Sequence, residues 1–202
     1  MRASAVSLVV RLAGNVALVV PLIFASSDWG QAAAETKTAR YADNVPAVLL
    51  SAEHAALCKV NVGDAFPAIE LPKIGGEATK LESLAGKQAT VVVFWAPDHW
   101  MSRVALKDAA ALGARSKAGD VAVVGIAEGA EDAVQKEIKR GGGELPQLLD
   151  ADGQGLANVG STALPRVYVL DAARKIAWFD IEYSESTRRE LAATLGALSA
   201  KK

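Results

Sequence analysis

The chain has 202 residues, of which 51% are hydrophobic, and a formal net charge of −1. This length and charge balance suit one globular domain with an ordinary core, and they exclude a polyelectrolyte that binds its partners through charge alone. Lys and Arg are scattered and the few aromatic residues do not alternate with them, so we predict no nucleic-acid partner.

The first 34 residues have the pattern of a secretory signal peptide. Arg2 and Arg11 precede an apolar run over residues 12–25, and small residues follow as far as Ala34. A basic start, an apolar centre and a small-residue cleavage site mark such a segment, and the run is short for a membrane span. We expect cleavage after Ala34, with Ser27 as the alternative site, and an exported protein that is periplasmic or extracellular. An uncleaved signal would be its only link to a membrane.

An N-terminal leader is predicted over residues 35–60, before a main domain over 61–202. Residues 35–45 are polar and show no period. Residues 51–60 can form a short helix with Ser51 as its N-cap, because serine accepts a hydrogen bond from an unpaired backbone N–H.

Strands and helices then alternate along the chain. The strands are apolar runs bounded by Gly and Pro, and the helices carry apolar side chains at helical spacing. Thr187 fits a capping box for the last helix, with Ser184 as an alternative cap. The predicted elements are strands over 66–72 and 89–96, a helix over 99–117, a strand over 120–127, a helix over 130–140, strands over 165–171 and 175–183, and a helix over 187–198.

This order predicts an α/β fold. Strand–helix–strand connections imply parallel pairing in the first half, and the short connection at residues 172–174 implies an antiparallel hairpin in the second half. We therefore expect a central mixed β-sheet flanked by helices on both faces.

Residues 62–97 contain a set of separate motifs: Gly63-Asp64, Pro67, the Gly75-Gly76 turn, Leu81 to Lys87, and Phe94-Trp95-Ala96. With these motifs the segment resembles the start of the thioredoxin-like redoxins, in particular the TlpA-type and AhpC/TSA-type exported proteins. Residues 148–180 are similar to the second half of that family, where a strand opens with a cis-proline. The resemblance implies a thioredoxin-like fold, although a fold does not fix a function.

The resemblance also implies where redox cysteines would lie. The family's Cys-x-x-Cys falls on His99 and Ser102, followed by a matching Arg103. The peroxidase pattern would need threonine at Met101 and cysteine at Val104, so that pattern is missing as well. A thiolate attacks disulfides and peroxides, and neither imidazole nor hydroxyl replaces it. We predict a degenerate active site, and whether the protein is an enzyme stays open.

A nucleophilic triad at the same junction is disfavoured. Asp98, His99 and Ser102 supply the residue types, but a triad needs the Asp and the Ser on opposite nitrogens of the imidazole. Residues next to each other at a helix start do not face one another. We interpret Asp98 as the N-cap of the helix instead.

The single cysteine, Cys58, allows three interpretations. It can be a buried structural thiol in an Ala-rich helix, an intermolecular disulfide in an oxidising compartment, or a lone redox thiol. His54 lies four residues earlier on the same helical face. Two ligands do not close a metal site and no third is close in the sequence, so we predict no metal.

Pro165 and Trp100 are the candidate binding residues. In the resembling family the proline is cis, and the main chain of the preceding residue, here Leu164, is free to pair with an extended peptide. The alternative is that Pro165 simply starts an edge strand. Trp100, at the helix tip, is expected to be exposed, whereas Trp95 and Trp178 lie inside strand patterns and are expected in the core.

These observations predict an exported thioredoxin-fold protein that needs no cofactor. Its expected role is to bind an extended peptide or partner protein at His99, Trp100, Leu164 and Pro165, without dithiol chemistry. The alternative is a residual thiol–disulfide oxidoreductase or antioxidant activity through Cys58. A protein that only scaffolds an assembly would have no groove at this position.

Overall fold

The structure is a computed structural model that describes residues 36–116, 119–142, 144–161 and 163–200. The predicted signal peptide and both of its possible cleavage sites lie outside these residues. None of the helices in the described ranges is long and apolar enough to cross a membrane.

Nine strands and five α-helices are found in the described residues. In chain order they are β1 (Lys37–Ala39), β2 (Val48–Leu50), α1 (Ala52–Ala56), β3 (Glu70–Pro72), β4 (Ala78–Lys80), a 3₁₀ turn (Leu81–Leu84), β5 (Ala89–Trp95), α2 (Trp100–Arg115), β6 (Val121–Glu128), α3 (Glu131–Glu137), a π-helical turn (Ile138–Gly142), β7 (Gln147–Asp150), α4 (Gln154–Val159), β8 (Arg166–Asp171), β9 (Ile176–Asp180) and α5 (Glu185–Ser199).

The centre of the fold is a mixed sheet with the strand order β7-β6-β5-β8-β9. The central strand β5 pairs in parallel with β6 and antiparallel with β8, so that Val92 lies opposite Val124 on one side and Tyr168 on the other. The strands β8 and β9 form the predicted antiparallel hairpin. The α/β fold with a mixed sheet flanked by helices on both faces is therefore confirmed.

The core explains why β5 is a continuous apolar run. All seven of its residues are buried, which is the pattern of a central strand covered on both faces. Trp95 and Trp178 are buried as predicted. The indole N–H of Trp95 donates to Gln147 Oε1 at 3.0 Å, and this bond ties the end of β5 to β7 across the sheet.

The segment before the main domain packs into this core. Ser51 caps α1 as predicted, with its Oγ accepting a hydrogen bond from the backbone N–H of His54 at 3.1 Å. Val45, Val48 and Leu50 are all buried in the core cluster. The residues that follow the polar stretch therefore attach the N-terminal segment to the hydrophobic core.

Two predicted helix caps were wrong. His99 occupies the N-cap position of α2 without a capping side chain, so the helix starts one residue later than the Asp98 cap required. In α5 the N-cap is Ser184, the alternative, and Thr187 supplies the reciprocal bond from position N3. A threonine hydroxyl at N3 can reach back to the N-cap N–H as Glu or Gln usually does.

Candidate functional site

A groove of about 950 Å³ lies beside the start of α2. Its walls are the loop after β5, the end of β6, the helix α4 and the loop before β8. This is the edge of the sheet where α/β proteins place ligands, because the carboxyl ends of the parallel strands β5 and β6 meet there. Residues that line it and bear on its chemistry include Lys59, Asp98, His99, Glu128 and Leu164.

The two positions that the resemblance equates with redox cysteines have opposite surroundings. His99 is exposed and lines the groove. Ser102 is completely buried, and its Oγ has no hydrogen-bond partner within the described part of the chain. The loop between β5 and α2 is held by Arg103, whose Nη1 donates to the carbonyl oxygen of Pro97 at 2.9 Å.

Trp100 projects from the same helix tip but is not part of the groove lining. It is 62% exposed, which confirms the expectation for this side chain. The only comparably exposed large apolar side chain among the described residues is Leu49, at 65%. An exposed tryptophan next to a groove is the type of residue that anchors a bound partner.

Of the two predicted binding residues before β8, Leu164 lines the groove, whereas Pro165 is buried and is not part of the lining. Their peptide bond is cis, as the resemblance implied. The edge-strand alternative for Pro165 is wrong, because the strand that follows it, β8, lies between β5 and β9. Leu164 lines the groove, and in the described ranges neither its N–H nor its C=O bonds to another backbone group.

The groove carries an acidic side chain that the sequence analysis missed. Glu128 is the last residue of β6, and burial, followed by the nearby carboxylates of Asp150 and Asp98, raises its pKa. Asp150 is buried and accepts hydrogen bonds from the N–H groups of Gly155 and Leu156, at 2.9 and 2.8 Å. A carboxylate at the end of a buried parallel strand was the available signal for Glu128.

The raised pKa of Glu128 predicts a pH-dependent gain in stability for Glu128→Gln. A carboxyl whose pKa is higher in the folded state stabilises the fold below its unfolded pKa of about 4.3. That contribution is lost as the pH rises through the folded value. We expect the Gln variant to be more stable than wild type in urea unfolding at pH 7 and equal to it at pH 4. A variant less stable at pH 7 would contradict this assignment.

Cys58 is not among the residues that line the groove. Its side chain is partly buried, and its Sγ donates to the carbonyl oxygen of His54 at 3.3 Å. Burial raises the pKa of the thiol, and the positive charges of Arg166 and Lys37 oppose that effect only in part. The neutral thiol is therefore the favoured form, which makes a poor nucleophile.

No metal centre is formed around this cysteine in the ranges that the structure describes. His54 pairs with Glu182 at 3.6 Å between Nε2 and Oε1. No group of three or more His, Cys, Asp or Glu side chains that could hold an ion occurs among the described residues.

Arg166 is a second residue near the groove that the sequence analysis missed. It follows Pro165 directly and is completely buried. Its Nη2 donates to the carbonyl oxygens of Leu57 and Ser161 at 2.8 and 2.7 Å, and its Nε donates to that of Ala163 at 3.0 Å. The guanidinium therefore holds the groove-lining loop before β8 against the end of the N-terminal segment.

The guanidinium of Arg166 also contacts Cys58, and its position leaves no room for a side chain at residue 160. Nη1 of Arg166 lies 3.3 Å from the hydroxyl of Tyr168 and 3.8 Å from Cys58 Sγ. A Cβ atom at Gly160 would lie 2.4 Å from the same Nη1, so a side chain there would displace the guanidinium. An arginine at the start of an apolar strand was the one signal in the sequence for this buried cation.

Comparisons with known proteins agree with this fold. The model of the AhpC/TSA family matches residues 62–179. A solved structure from Chlorobium tepidum, named as a DsbE thiol:disulfide interchange protein, is 21% identical, with a TM-score of 0.59 over 68% of this chain and 100% of that chain. One from Bacteroides thetaiotaomicron, named as a protein disulfide isomerase, is 20% identical, with a TM-score of 0.59 over 70% of this chain and 90% of that one.

A third similar structure is a secreted disulfide oxidoreductase of Mycobacterium tuberculosis, described as homologous to DsbE. It is 22% identical, with a TM-score of 0.54 over 64% of this chain and 95% of that chain. No curated protein matches the chain. The family match covers more than half of the sequence, and these likenesses show the fold, so the chain belongs to the AhpC/TSA family of thioredoxin-like redoxins.

Proposed function

We propose that this protein binds an extended peptide, or an extended segment of a partner protein, in the groove beside His99 and Leu164, without dithiol chemistry. The observation that carries the proposal is the groove itself, which is open at the family's redox position while the chain's single cysteine lies outside its lining. His99 and Ser102 stand where the resemblance implies cysteines, so the proposed site retains the binding surface of a redoxin and lacks its thiols.

The main chain of Leu164 supports binding of an extended strand. Its N–H and C=O make no backbone hydrogen bond within the described ranges, so both are available for strand addition. Apolar side chains such as Pro97 and Leu156 line the groove and can receive side chains of a peptide. Trp100 lies just outside the lining and can cover the bound segment.

Export is part of the same proposal. The first 34 residues have the pattern of a signal peptide, and one of the similar structures is of a secreted protein. In an oxidising compartment, extended or unfolded segments of other exported proteins would be the available partners.

A peptide selection tests this function directly. We would select 12-residue peptides displayed on phage against the full chain and measure the affinity of the enriched sequence by calorimetry. Because an exposed tryptophan that covers a bound segment can contribute about 2 kcal/mol to binding, Trp100→Ala is expected to weaken the peptide at least about tenfold. Ala133→Arg, on the exposed face of α3 that lines the groove, is expected to block binding.

Two matched controls accompany these variants. Leu49→Ala removes an equally exposed apolar side chain away from the groove, and Ala193→Arg adds the same charge on an exposed position of α5. Both should bind the peptide as wild type does. Failure to enrich any peptide, or equal binding by Ala133→Arg, would refute the proposal.

Residual thiol chemistry is the competing function. The observation in its favour is the guanidinium of Arg166, 3.8 Å from Cys58 Sγ, since a nearby cation favours a thiolate. The net rise in the pKa of this thiol opposes it. An insulin-reduction assay decides between the two functions. Insulin reduction that Cys58→Ala abolishes would reject the peptide-binding function in favour of oxidoreductase activity.

A further inference from the structure

A second cavity, of about 180 Å³, lies between α2 and α5 and shares no lining residue with the groove. Its floor is one face of the central sheet, formed by the buried side chains of Val91, Val93 and Val167. The walls are apolar as well: Ala105, Ala109 and Leu112 on α2, and Leu191 and Ala192 on α5. All of its polar side chains belong to Asp108, Arg115, Tyr183 and Arg188.

We propose that this cavity binds a small apolar carboxylate, whose apolar part lies against Val91, Val93 and Val167 and whose carboxylate pairs with Arg115 and Arg188.

The size and lining of the cavity fit the apolar part of such a ligand. An apolar cavity of about 150 Å³ in another protein stays dry and binds benzene. The cavity between α2 and α5 is slightly larger, and its floor offers no polar group to a water molecule. A six-membered ring or a short branched chain therefore fits it, and burial of that group is favourable by about 25 cal/mol per Å² of apolar surface.

The polar side chains already make one closed set of contacts. Asp108 Oδ2 accepts from Nε of Arg188 at 2.7 Å and from the hydroxyl of Tyr183 at 2.9 Å. The guanidinium of Arg188 also lies over the Tyr183 ring, 5.4 Å from its centroid. Burial and the hydrogen bond to Asp108 raise the pKa of Tyr183, so its hydroxyl stays protonated and keeps donating. The only carboxylate in the lining is therefore engaged.

Arg115 is the lining cation without a counter-charge. It is the last residue of α2 and is exposed, and it makes no ion pair or side-chain hydrogen bond in the part of the chain that the structure describes. Two guanidinium groups and one carboxylate leave the lining with a positive charge. An anionic head group complements this charge, and guanidinium pairs with carboxylate through two parallel hydrogen bonds.

Three probes with one ring and different head groups test the proposal on the full chain. We would titrate benzoate, benzyl alcohol and benzylamine, which is a cation at neutral pH, and follow the methyl NMR signals of Val91, Val93 and Val167. Benzoate is expected to bind at least about tenfold more tightly than benzylamine, with benzyl alcohol between them, because the guanidinium groups attract the carboxylate and repel the ammonium group.

Substitutions separate the apolar and charged parts of the site. Arg115→Gln should weaken benzoate about threefold or more and leave benzyl alcohol unchanged. Ala109→Leu fills the cavity and should abolish binding of all three probes, whereas Ala193→Leu, on an exposed position of α5 outside the lining, should not. If Ala109→Leu does not fold, Ala192→Leu narrows the same cavity from α5.

Several results would overturn the proposal. Methyl signals that no probe shifts would mean that the cavity is only a packing gap. Binding that persists in the filled variant would place the probes elsewhere, and equal affinity for the three head groups would remove the role of the arginines.

Discussion

Replacing Arg166 by methionine is expected to lower the free energy of unfolding by about 3 kcal/mol. The guanidinium donates to the carbonyl oxygens of Leu57, Ser161 and Ala163. Methionine is of similar length and apolar, so it fills the space but removes all of these part-buried hydrogen bonds. The carbonyl oxygens of Leu57 and Ser161 keep the bonds that they accept from the backbone N–H groups of Ser161 and Ala163. Each hydrogen bond to a charged group contributes about 1.5–3 kcal/mol, and relief of the buried charge offsets part of the sum.

Urea unfolding measures this loss, and two other arginine variants calibrate it. Arg166→Lys keeps the charge but cannot reach all of the acceptors at once, so it should fall between wild type and Arg166→Met. Arg103→Met removes an exposed arginine that also donates to a carbonyl oxygen, and it should cost less than about 1 kcal/mol. An Arg166→Met variant as stable as Arg103→Met would show that the buried contacts contribute little.

The second large effect is expected from restoring a dithiol. The double substitution His99→Cys with Ser102→Cys should give a protein that reduces insulin, in the presence of a reductant, at least about tenfold faster than wild type. Position 99 is exposed at the start of α2, where the partial positive charge of the helix stabilises a thiolate. Position 102 lies one helical turn further and is buried, and its present hydroxyl makes no bond that a thiol would lose.

The native thiol of Cys58 could contribute to insulin reduction, so the experiment must remove it. The double variant should be made with Cys58→Ala as well, so that every observed turnover belongs to the new pair. His99→Cys alone and Ser102→Cys alone should stay close to wild type, because disulfide exchange in this geometry needs both thiols. A folded double variant that forms no internal disulfide would show that the helix tip does not hold the two positions in redox geometry.

Four of the five strands of the central sheet were predictable because they are apolar runs of five to eight residues. The strand β5 is buried on both faces, so its sequence has no alternation to misread, and the hairpin of β8 and β9 is marked by its short connection. The elements missed by sequence analysis are short. The strand β7 has four residues and α4 has six, and neither length is enough to establish a period.

The site was predictable to the extent that it depends on position within the chain. The resemblance placed His99 and Leu164 at one site, and both line the groove. Trp100 was expected at the helix tip and exposed, and it is, but it lies outside the groove lining. Glu128 and Arg166 were missed because their importance comes from what surrounds them in space. A buried arginine whose partners are carbonyl groups up to 109 residues away has no local pattern.

The hydrogen bond from Arg166 to Leu57 links the family domain to a residue that precedes it in the sequence. The family match starts at residue 62, yet the cation beside the groove is held by a carbonyl that precedes it, and Val45, Val48 and Leu50 belong to the core. The segment that matches the family is thus shorter than the segment that forms the folded core. A protein that began at residue 62 would lose both the core residues Val45, Val48 and Leu50 and the Leu57 carbonyl that accepts from Arg166.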